Sequence, residues 1–526
     1  MHLQYKVKSV IVKAIIFIAV TGSAFCAIAS IPEMDAAFAS MPPVYVVEVT
    51  APDHDSLIVL LDAGYNVGSV YELTATMYLD EYEYDEVLAL GYPTELVEVQ
   101  PTAPAQEKAS GYTTPAEIEI LLTGYVQEYP NLCRTQVLGT SVNGNTIWAI
   151  KVASNPDTPA DKPVVKFIAT IHGDEPIGTE LCLNFAEELL AGYGVDSYIT
   201  DFLDRTVVWL VPMMNPDGFL LNSRRNAHSV DLNRAFPVYG TDYTSTWFDG
   251  APLGDDVREP EVASIMRWSA DVHCALSMHF HSGALVVNYP YDNEPGIPSR
   301  TEAPTPDDEM FQYISLEYAV QNTPMYTGGN FPEGIVNGSF WYSITGGMMD
   351  WNYRFIGCPE VLVELSYTKK PDSALLPQLW LDNRNSMYAY AETAHIGIRG
   401  LVLDKNTDAP VWTKVLLEGN AQPVFSNPDY GNYHKLVLSG AYNVSYQAED
   451  YITYYVDNVV VEEGPATRVD IAMSDGDINN DGNRDNTDIQ LVVDAVLGRS
   501  IAYNADVNGR GLSATDIQAV INKTQS

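Results

Sequence analysis

The stretch Pro163-Val-Val-Lys-Phe-Ile-Ala-Thr-Ile-His172-Gly-Asp-Glu175 joins an apolar run to a segment that reads as a helix. The apolar run is typical of a buried strand, so His172 and Glu175 are predicted to lie on the turn beyond the sheet edge. A second apolar run ends at His281, and in a mixed sheet the two runs can lie side by side. Two imidazoles and one carboxylate leave a zinc ion one open position for water or substrate, so the pattern predicts a hydrolytic metal site.

Five further motifs follow these features in a fixed order. They are Met214-Asn-Pro-Asp-Gly218, Val230-Asp-Leu-Asn-Arg234, Val287-Asn-Tyr-Pro-Tyr-Asp292, Gly346-Gly-Met-Met-Asp-Trp-Asn-Tyr353 and Val363-Glu-Leu365. Together the motifs resemble the zinc carboxypeptidases, most closely the carboxypeptidase N, E and D branch, over residues 111–395. The resemblance implies an α/β fold, an α/β/α arrangement around a mixed sheet, with a zinc cofactor. It also implies hydrolysis of the C-terminal bond of peptides and proteins.

The resemblance assigns the zinc ligands to three residues. His172, Glu175 and His281 match the family's two histidines and one glutamate. His279 is a rival for the last ligand, because it lies two residues away on the same strand face. The run that follows His281 keeps the family's register, whereas a ligand at His279 would shift it. We therefore prefer His281 and expect His279 to be a packed neighbour of the site.

The remaining catalytic roles also follow from the resemblance. Glu364 matches the catalytic glutamate, which takes a proton from water and later passes it to the leaving amine. Arg224 matches the arginine that stabilises the oxyanion. Asn233 and Arg234 match the pair that holds the free terminal carboxylate of a peptide, for which a guanidinium fork is well suited. Tyr353 matches the mobile tyrosine that closes over bound substrate.

Substrate preference depends on Asp292. Basic-specific relatives often place an aspartate at this position, where it meets a terminal Lys or Arg side chain, and a solvated loop aspartate is the alternative. Two other functions stay open, a zinc-dependent amide hydrolase of small acyl amino acids and a non-catalytic surface binding module. Asn233, Arg234 and Tyr353 argue against the hydrolase. Retention of Glu364 and all three ligands argues against the binding module.

The N-terminus and the composition predict where the protein works. Residues 1–30 carry Lys6, Lys8 and Lys13 ahead of the apolar run Ala14–Val20, which is typical of a secretory signal peptide. The run is too short for a comfortable membrane span, and no later segment is long enough. The net charge of −41 argues against nucleic-acid or anionic-membrane partners. We expect a secreted or extracellular protein.

Sequence patterns divide the rest of the chain into domains and leave disulfides undecided. Residues 43–99 alternate strand and helix signals, as in a small α+β module of the split-βαβ type. They resemble the pro-regions that shield secreted carboxypeptidases until removed, and a permanent accessory domain is the alternative. Residues 100–110 are predicted as a linker and cleavage region. Residues 396–473 predict a β-sandwich and resemble the transthyretin-like domain of the same branch.

Export permits three pairings of Cys133, Cys182, Cys274 and Cys358, as well as free thiols.

Residues 475–526 carry a calcium-binding pattern and predict a small α-helical domain. Oxygen-bearing residues at alternate positions and a glycine at the sixth are typical of an EF-hand-type loop with Ca²⁺ ligands Asp477, Asn479, Asp481, Asn483 and Asp488. A second loop, residues 506–516, repeats the pattern with Arg510 at a ligand position, so this site is predicted to be weak or empty. The duplicated loop-helix unit resembles a dockerin, whose partner is a cohesin on a scaffold or cell surface. A calcium-stabilised tail without a partner is the alternative.

Overall fold

The structure is a computed structural model that describes residues 43–100, 111–158, 160–243 and 252–525. The predicted signal peptide, and the predicted linker apart from Gln100, lie outside these ranges. Within them, no helix combines the length and the apolar character that a membrane span requires. Cys133, Cys182, Cys274 and Cys358 are buried and free, so the structure contains none of the three disulfide pairings.

Residues 43–100, here called the N-terminal module, form an antiparallel four-stranded sheet with two helices. The strands are β1 (Val44–Thr50), β2 (Val67–Tyr71), β3 (Thr74–Leu79) and β4 (Thr94–Gln100), in the order β2-β3-β1-β4. The helices are His54–Asp62 and Glu81–Ala89. The sequence pattern did not predict β2, because its central Gly and Ser interrupt the apolar alternation. Asp80 caps the second helix in a capping box with Glu83.

Residues 111–395 are built around a mixed eight-stranded sheet in the order β11-β10-β12-β9-β7-β8-β6-β5. The central strands β12, β9, β7 and β8 are parallel, and β6, β5 and β10 run antiparallel to their inner neighbours. The strands are β5 (Cys133–Thr140), β6 (Thr146–Val152), β7 (Val164–Ile168), β8 (Val207–Val211), β9 (Leu276–His281), β10 (Leu285–Tyr289), β11 (Ile335–Asn337) and β12 (Glu360–Leu365).

Helices cover both faces of this sheet. Val165 and Phe167 of β7 pack into one apolar cluster, and Ile168 packs into a second cluster on the opposite face. The alternation of β7 therefore confirms the expected mixed-sheet α/β arrangement with helices on either side. The helices are Pro115–Glu128, Ile177–Gly192, Ser197–Arg205, Pro216–Leu221, Pro260–Val272, Asp308–Ala319, Thr323–Gly328, Gly338–Trp341, Met348–Trp351 and Leu376–Glu392.

Residues 396–473 form two small sheets, and residues 475–525 form a helix pair. One sheet has β13 (Ile398–Asp404) beside β16 (Asn432–Lys435), β19 (Thr467–Arg468) and β20 (Ile471–Met473). The other has the order β15-β14-β17-β18, from β14 (Lys414–Leu417), β15 (Val424–Phe425), β17 (Gly440–Gln447) and β18 (Tyr454–Val461). One apolar cluster contains residues from both sheets. The helices Asn486–Val496 and Ala514–Gln525 each follow an acidic loop.

Candidate active site

The site lies where the central parallel strands end, the edge at which open α/β sheets bind ligands. His172 and Glu175 occupy the turn between β7 and helix Ile177–Gly192, and His281 is the last residue of β9. The turn is tight, because a Cβ on Gly173 would lie 1.9 Å from the main-chain carbon of Gly218. The glycine of the Met214–Gly218 motif thus packs directly against the turn that carries two predicted ligands.

His172, Glu175 and His281 come together as a buried cluster. Among the described residues, they are the one set of three acidic, His or Cys side chains whose ligand atoms lie within 4.8 Å of one another. Glu175 Oε2 lies 3.0 Å from His172 Nδ1 and 2.9 Å from His281 Nδ1. This donor set fits zinc, which takes imidazole nitrogens and carboxylate oxygens. Burial lowers the pKa of His281 well below its ordinary value, so the ring is in the neutral form that binds metals.

Asp231 is a functional residue that the sequence analysis missed. It is buried, and its Oδ1 lies 3.0 Å from His172 Nε2 while its Oδ2 accepts a 2.9 Å hydrogen bond from Arg224 Nε. Burial alone would raise the pKa of Asp231, but the charges of Arg224 and His172 hold it well below its usual range. A carboxylate on the far nitrogen of a metal-binding histidine fixes the ring and its tautomer. The sequence signal for Asp231 was its position two residues before Asn233 in the Val230–Arg234 motif.

Glu364 faces the cavity from β12, directly opposite His281 in the strand register. Its Oε2 accepts a 3.3 Å hydrogen bond from the Ala284 main-chain N–H. Burial raises the pKa of Glu364 to about 8, and the charge of Glu175 adds to the rise. A cation held by the three ligands would lower this pKa again, because an opposite charge favours the carboxylate.

Arg224, Asn233 and Arg234 line the same cavity. Arg224 Nη1 donates a 3.1 Å hydrogen bond to Glu175 Oε1, so the guanidinium is anchored beside the ligand cluster. Asn233 is held by its Oδ1, which accepts the Met348 N–H at 2.9 Å. Arg234 Nη2 donates a 2.7 Å hydrogen bond to the main-chain oxygen of Val67 in the N-terminal module.

Asp292 is a buried wall of the cavity, which excludes the alternative of a solvated loop residue. Asn288 Nδ2 donates a 2.9 Å hydrogen bond to its Oδ1, while its Oδ2 has no partner among the described residues. A Cβ on Gly338 would lie 2.0 Å from Oδ1, so a glycine is required there. Burial and the charge of Asp350 raise the pKa of Asp292 well above its usual range.

The structure corrects the expectation for Tyr353. Its ring is buried beside Phe311, and its hydroxyl donates a 2.8 Å hydrogen bond to Asp307, which also pairs with Lys435 at 2.9 Å. This buried pair holds Tyr353 in the core, away from the cavity lining. Tyr342 lines the cavity instead. The sequence signal for it was weak, since it lies just before the glycine pair that opens the quoted motif.

The N-terminal module covers the mouth of the cavity. Gly68 of β2 is one of its lining residues and accepts a 3.0 Å hydrogen bond from the Tyr342 hydroxyl. The Tyr78 ring lies 5.0 Å from the Arg224 guanidinium, and its hydroxyl contacts Lys369 Nζ. Trp341 Nε1 donates a 3.0 Å hydrogen bond to the Val70 oxygen. Apolar residues of the module and of β10 share one cluster, so the contact has its own core.

The predicted calcium loop folds around its first and last acids. Asp477 Oδ2 accepts the Gly482 N–H at 2.8 Å, and Asp488 Oδ1 accepts the Ile478 N–H at 2.7 Å. Gly482 has a φ of 83°, as a sharp turn requires. The Asp481 oxygens accept side-chain N–H groups of Asn479 at 3.0 Å and Asn483 at 3.1 Å, so all five predicted ligands lie in or beside this loop.

The second loop folds in the same way, but its arginine is used elsewhere. Asp506 Oδ2 accepts the Gly511 N–H at 3.0 Å, and Asp516 Oδ1 accepts the Val507 N–H at 3.0 Å. Arg510 donates a 3.2 Å hydrogen bond to Asp457 and stacks 4.0 Å from the Tyr455 ring. It therefore contacts strand β18.

Comparisons with known proteins agree with this geometry. The model of the peptidase M14 family, zinc carboxypeptidase, matches residues 118–386. Rat carboxypeptidase D is 34% identical over 390 residues, which cover 70% of this chain and 27% of that protein. The human carboxypeptidase N catalytic chain is 34% identical over 370 residues, which cover 64% of this chain and 80% of that one. The crystal structure of carboxypeptidase A from Helicoverpa armigera has a similar fold, with a TM-score of 0.51 and 18% identity, over 67% of this chain and 97% of that one. The chain belongs to the zinc carboxypeptidase family.

Proposed function

We propose that this chain is a secreted zinc metallocarboxypeptidase that hydrolyses the C-terminal bond of peptides and proteins. One observation carries the proposal. One cavity is lined by His172 and His281, by the carboxylate of Glu364 and by the pair Asn233 and Arg234. The cavity therefore combines a metal-binding set, a proton acceptor and a carboxylate-binding cation, which are the parts that an exopeptidase needs. Membership of the family supports the same reaction.

The chain's own residues divide the reaction between them. A zinc ion bound by the three ligands would polarise the substrate carbonyl and lower the pKa of water towards about 7. Glu364 accepts a proton from the attacking water and returns it to the leaving amine. Arg224, anchored by Asp231 and Glu175, stabilises the developing oxyanion, which is typically worth about 3 kcal/mol. Arg234 binds the terminal carboxylate, and Tyr342 packs over the bound residue.

The proposed substrates end in Lys or Arg. Asp292 is buried at the cavity wall with an oxygen that no described residue satisfies. An unpaired buried carboxylate is costly, and a basic side chain entering the cavity would pair with it. Since the pKa of Asp292 is raised by burial and by Asp350, the arriving cation also favours its ionised form.

The decisive assay measures release of terminal Arg, Lys, Phe or Leu from matched blocked dipeptides. We expect Arg and Lys to be released fastest, a zinc chelator to abolish release, and Glu364→Gln to slow it by about 10²–10⁴-fold while zinc stays bound. If cleavage occurs at internal bonds or at small free amides, the amide-hydrolase alternative is favoured. An inert parent protein, tested after removal of the N-terminal module, would favour a binding module.

We further propose that the N-terminal module keeps the enzyme latent. The Val67 oxygen already accepts the Arg234 hydrogen bond that a substrate carboxylate would need. Gly68 and Tyr78 stand where a peptide would enter, since Gly68 lines the cavity and Tyr78 lies against Arg224. A bound peptide and the seated module therefore exclude each other.

Cleavage within residues 101–110, which include Lys108, tests the latency. We expect the uncut protein to hydrolyse blocked dipeptides slowly, and activity to rise once trypsin has cut this segment and the module has been separated by gel filtration. A Lys108→Gln variant, treated identically, is the matched control and should stay latent. Equal activity before and after separation would identify a permanent accessory domain.

Export and attachment complete the proposal. The basic residues and apolar run of residues 1–30 support secretion. The two acidic loop-helix units of residues 475–525 support calcium binding and docking to a cohesin-type scaffold or surface protein. Residues 396–473 are proposed as a transthyretin-like packing domain. Pull-down of the secreted protein by an immobilised cohesin, with calcium and with a chelator, tests the docking.

A further inference from the structure

A chain of buried polar side chains lies beneath the candidate metal site. In the register between β9 and β12, Ser277 faces Glu360 and His281 faces Glu364. Because side chains alternate along a strand, Ser277, His279 and His281 share one face, and so do Glu360 and Glu364. Glu360 therefore lies about 13 Å down its strand from Glu364, on the same side of the sheet.

Glu360 is the centre of this chain and has no solvent exposure. Its Oε2 accepts a 2.6 Å hydrogen bond from Asn352 Nδ2 and a hydrogen bond from the Ser277 hydroxyl. Its Oε1 lies 2.9 Å from His279 Nδ1, although these two atoms are not aligned for a hydrogen bond. The carboxylate is thus held on one side and faces the imidazole on the other.

A buried lysine is connected to this carboxylate through one intervening side chain. Lys166 Nζ donates 2.8 Å hydrogen bonds to Asn352 Oδ1 and to Ser269 Oγ. Asn352 therefore bridges Lys166 and Glu360, which are both fully buried. Stability alone does not explain such an arrangement, because apolar residues of similar volume often replace buried ion pairs without loss.

The chain ends at a metal ligand. The His279 ring packs against the His281 ring, with centroids 4.9 Å apart and planes at 70°. We propose that Glu360 is a positioning residue for the metal centre. The Glu360 carboxylate lies against the His279 ring and limits its movement, and His279, packed against His281, fixes that ring in the orientation that binds zinc. The inference rests on the proposed zinc site, and it assigns a role to residues outside the set that binds metal or substrate.

The test compares zinc affinity in Glu360→Gln and in Val165→Ala, measured by competition with a chromophoric chelator. Val165 is equally buried on β7, two strands away, but packs on the opposite face of the sheet, so its variant controls for lost stability. We expect Glu360→Gln to weaken zinc binding about tenfold, as loss of a residue behind a metal ligand typically does. The visible spectrum of the Co²⁺-substituted protein should change as well. Val165→Ala should alter neither readout, even at an equal loss of Tm.

Unchanged zinc affinity and an unchanged Co²⁺ spectrum in Glu360→Gln would overturn the inference. If that variant does not fold, His279→Asn decides in its place, with the same expected loss and the same overturning result. The proposed function is tested separately, by zinc binding and peptide hydrolysis of the unsubstituted parent protein. A parent that binds zinc without hydrolysing peptides refutes the function alone, and a parent that binds no zinc overturns both.

Discussion

Replacing Asp292 by Asn should remove the proposed preference for basic termini. The Asp292 side chain is buried, and its Oδ2 is the carboxylate oxygen left to receive a substrate cation. Asn has the same shape and loses only the charge. Gly338 and Gly347 approach the carboxylate closely. A Cβ added to them would lie 2.0 and 3.2 Å, respectively, from an oxygen of Asp292, so the side chain has little room to move away.

The magnitude follows from the burial of the pair. Breaking a buried, hydrogen-bonded charge pair at a binding site costs about 2–5 kcal/mol. If losing the charge of this single carboxylate costs about 3 kcal/mol of binding free energy, kcat/KM for a substrate ending in Arg should fall roughly 100-fold. A substrate ending in Leu does not pair with Asp292 in the parent and buries no unpaired carboxylate in the variant, so its kcat/KM should change little or rise.

The assay compares blocked dipeptides that end in Arg and in Leu, with enzyme freed of its N-terminal module. Asp350→Asn is the matched control, because Asp350 is a neighbouring carboxylate that accepts the Asp292 and Asn293 main-chain N–H groups at 2.9 and 3.0 Å. Because the charge of Asp350 raises the pKa of Asp292, Asp350→Asn should keep the preference for Arg over Leu. An Asp292→Asn enzyme that keeps its Arg-to-Leu ratio would refute the assignment of this residue to the substrate side chain.

Three further predictions concern catalysis, acid stability and calcium. Glu364→Gln should lower kcat by about 10²–10⁴-fold at unchanged zinc content by metal analysis, and a variant with near-parental kcat would contradict its role. Burial lowers the pKa of His434 from 6.5 to about 3. The unfolded ring binds a proton below about pH 6.5, whereas the folded ring does so only near pH 3. The free energy of unfolding therefore falls as the pH is lowered, and it is roughly 2 kcal/mol smaller at pH 5 than at neutral pH. Between pH 7.5 and 5, Tm should fall further in the parent than in His434→Phe, and equal falls would count against this origin. Calcium should slow amide hydrogen exchange in residues 475–525, and Asp477→Ala should abolish that response. Exchange rates that are the same with and without calcium would argue against calcium binding by this loop.

Local patterns in the sequence predicted much of the candidate site. The apolar run before His172 identified β7, and the run ending at His281 identified β9. Glu364 lies on the predicted buried strand β12. These predictions worked because strand and turn signals are local and because parallel strands end at one edge of a sheet. Arg224 and Asn233, which the motifs singled out, line the cavity.

The same reasoning failed where a side chain's direction depends on distant partners. Tyr353 and Tyr342 are both aromatic residues near one glycine pair, and no local pattern separates them. The buried contact of Tyr353 with Asp307, which itself pairs with Lys435 of strand β16, draws its ring into the core. Asp231 was missed for a similar reason, because its function depends on His172, which lies far away in the sequence.

The sequence by itself, through its motifs, determined the proposed chemistry of this protein: which residues are predicted to bind metal, move a proton and meet a carboxylate, and on which strands and turns they lie. Tertiary structure alone decided how the cavity is closed. The contact of Arg234 with the Val67 oxygen uses a main-chain group that every residue type possesses, so it leaves no signal in the sequence. Such contacts are fixed only when two separately folded units pack their apolar faces together.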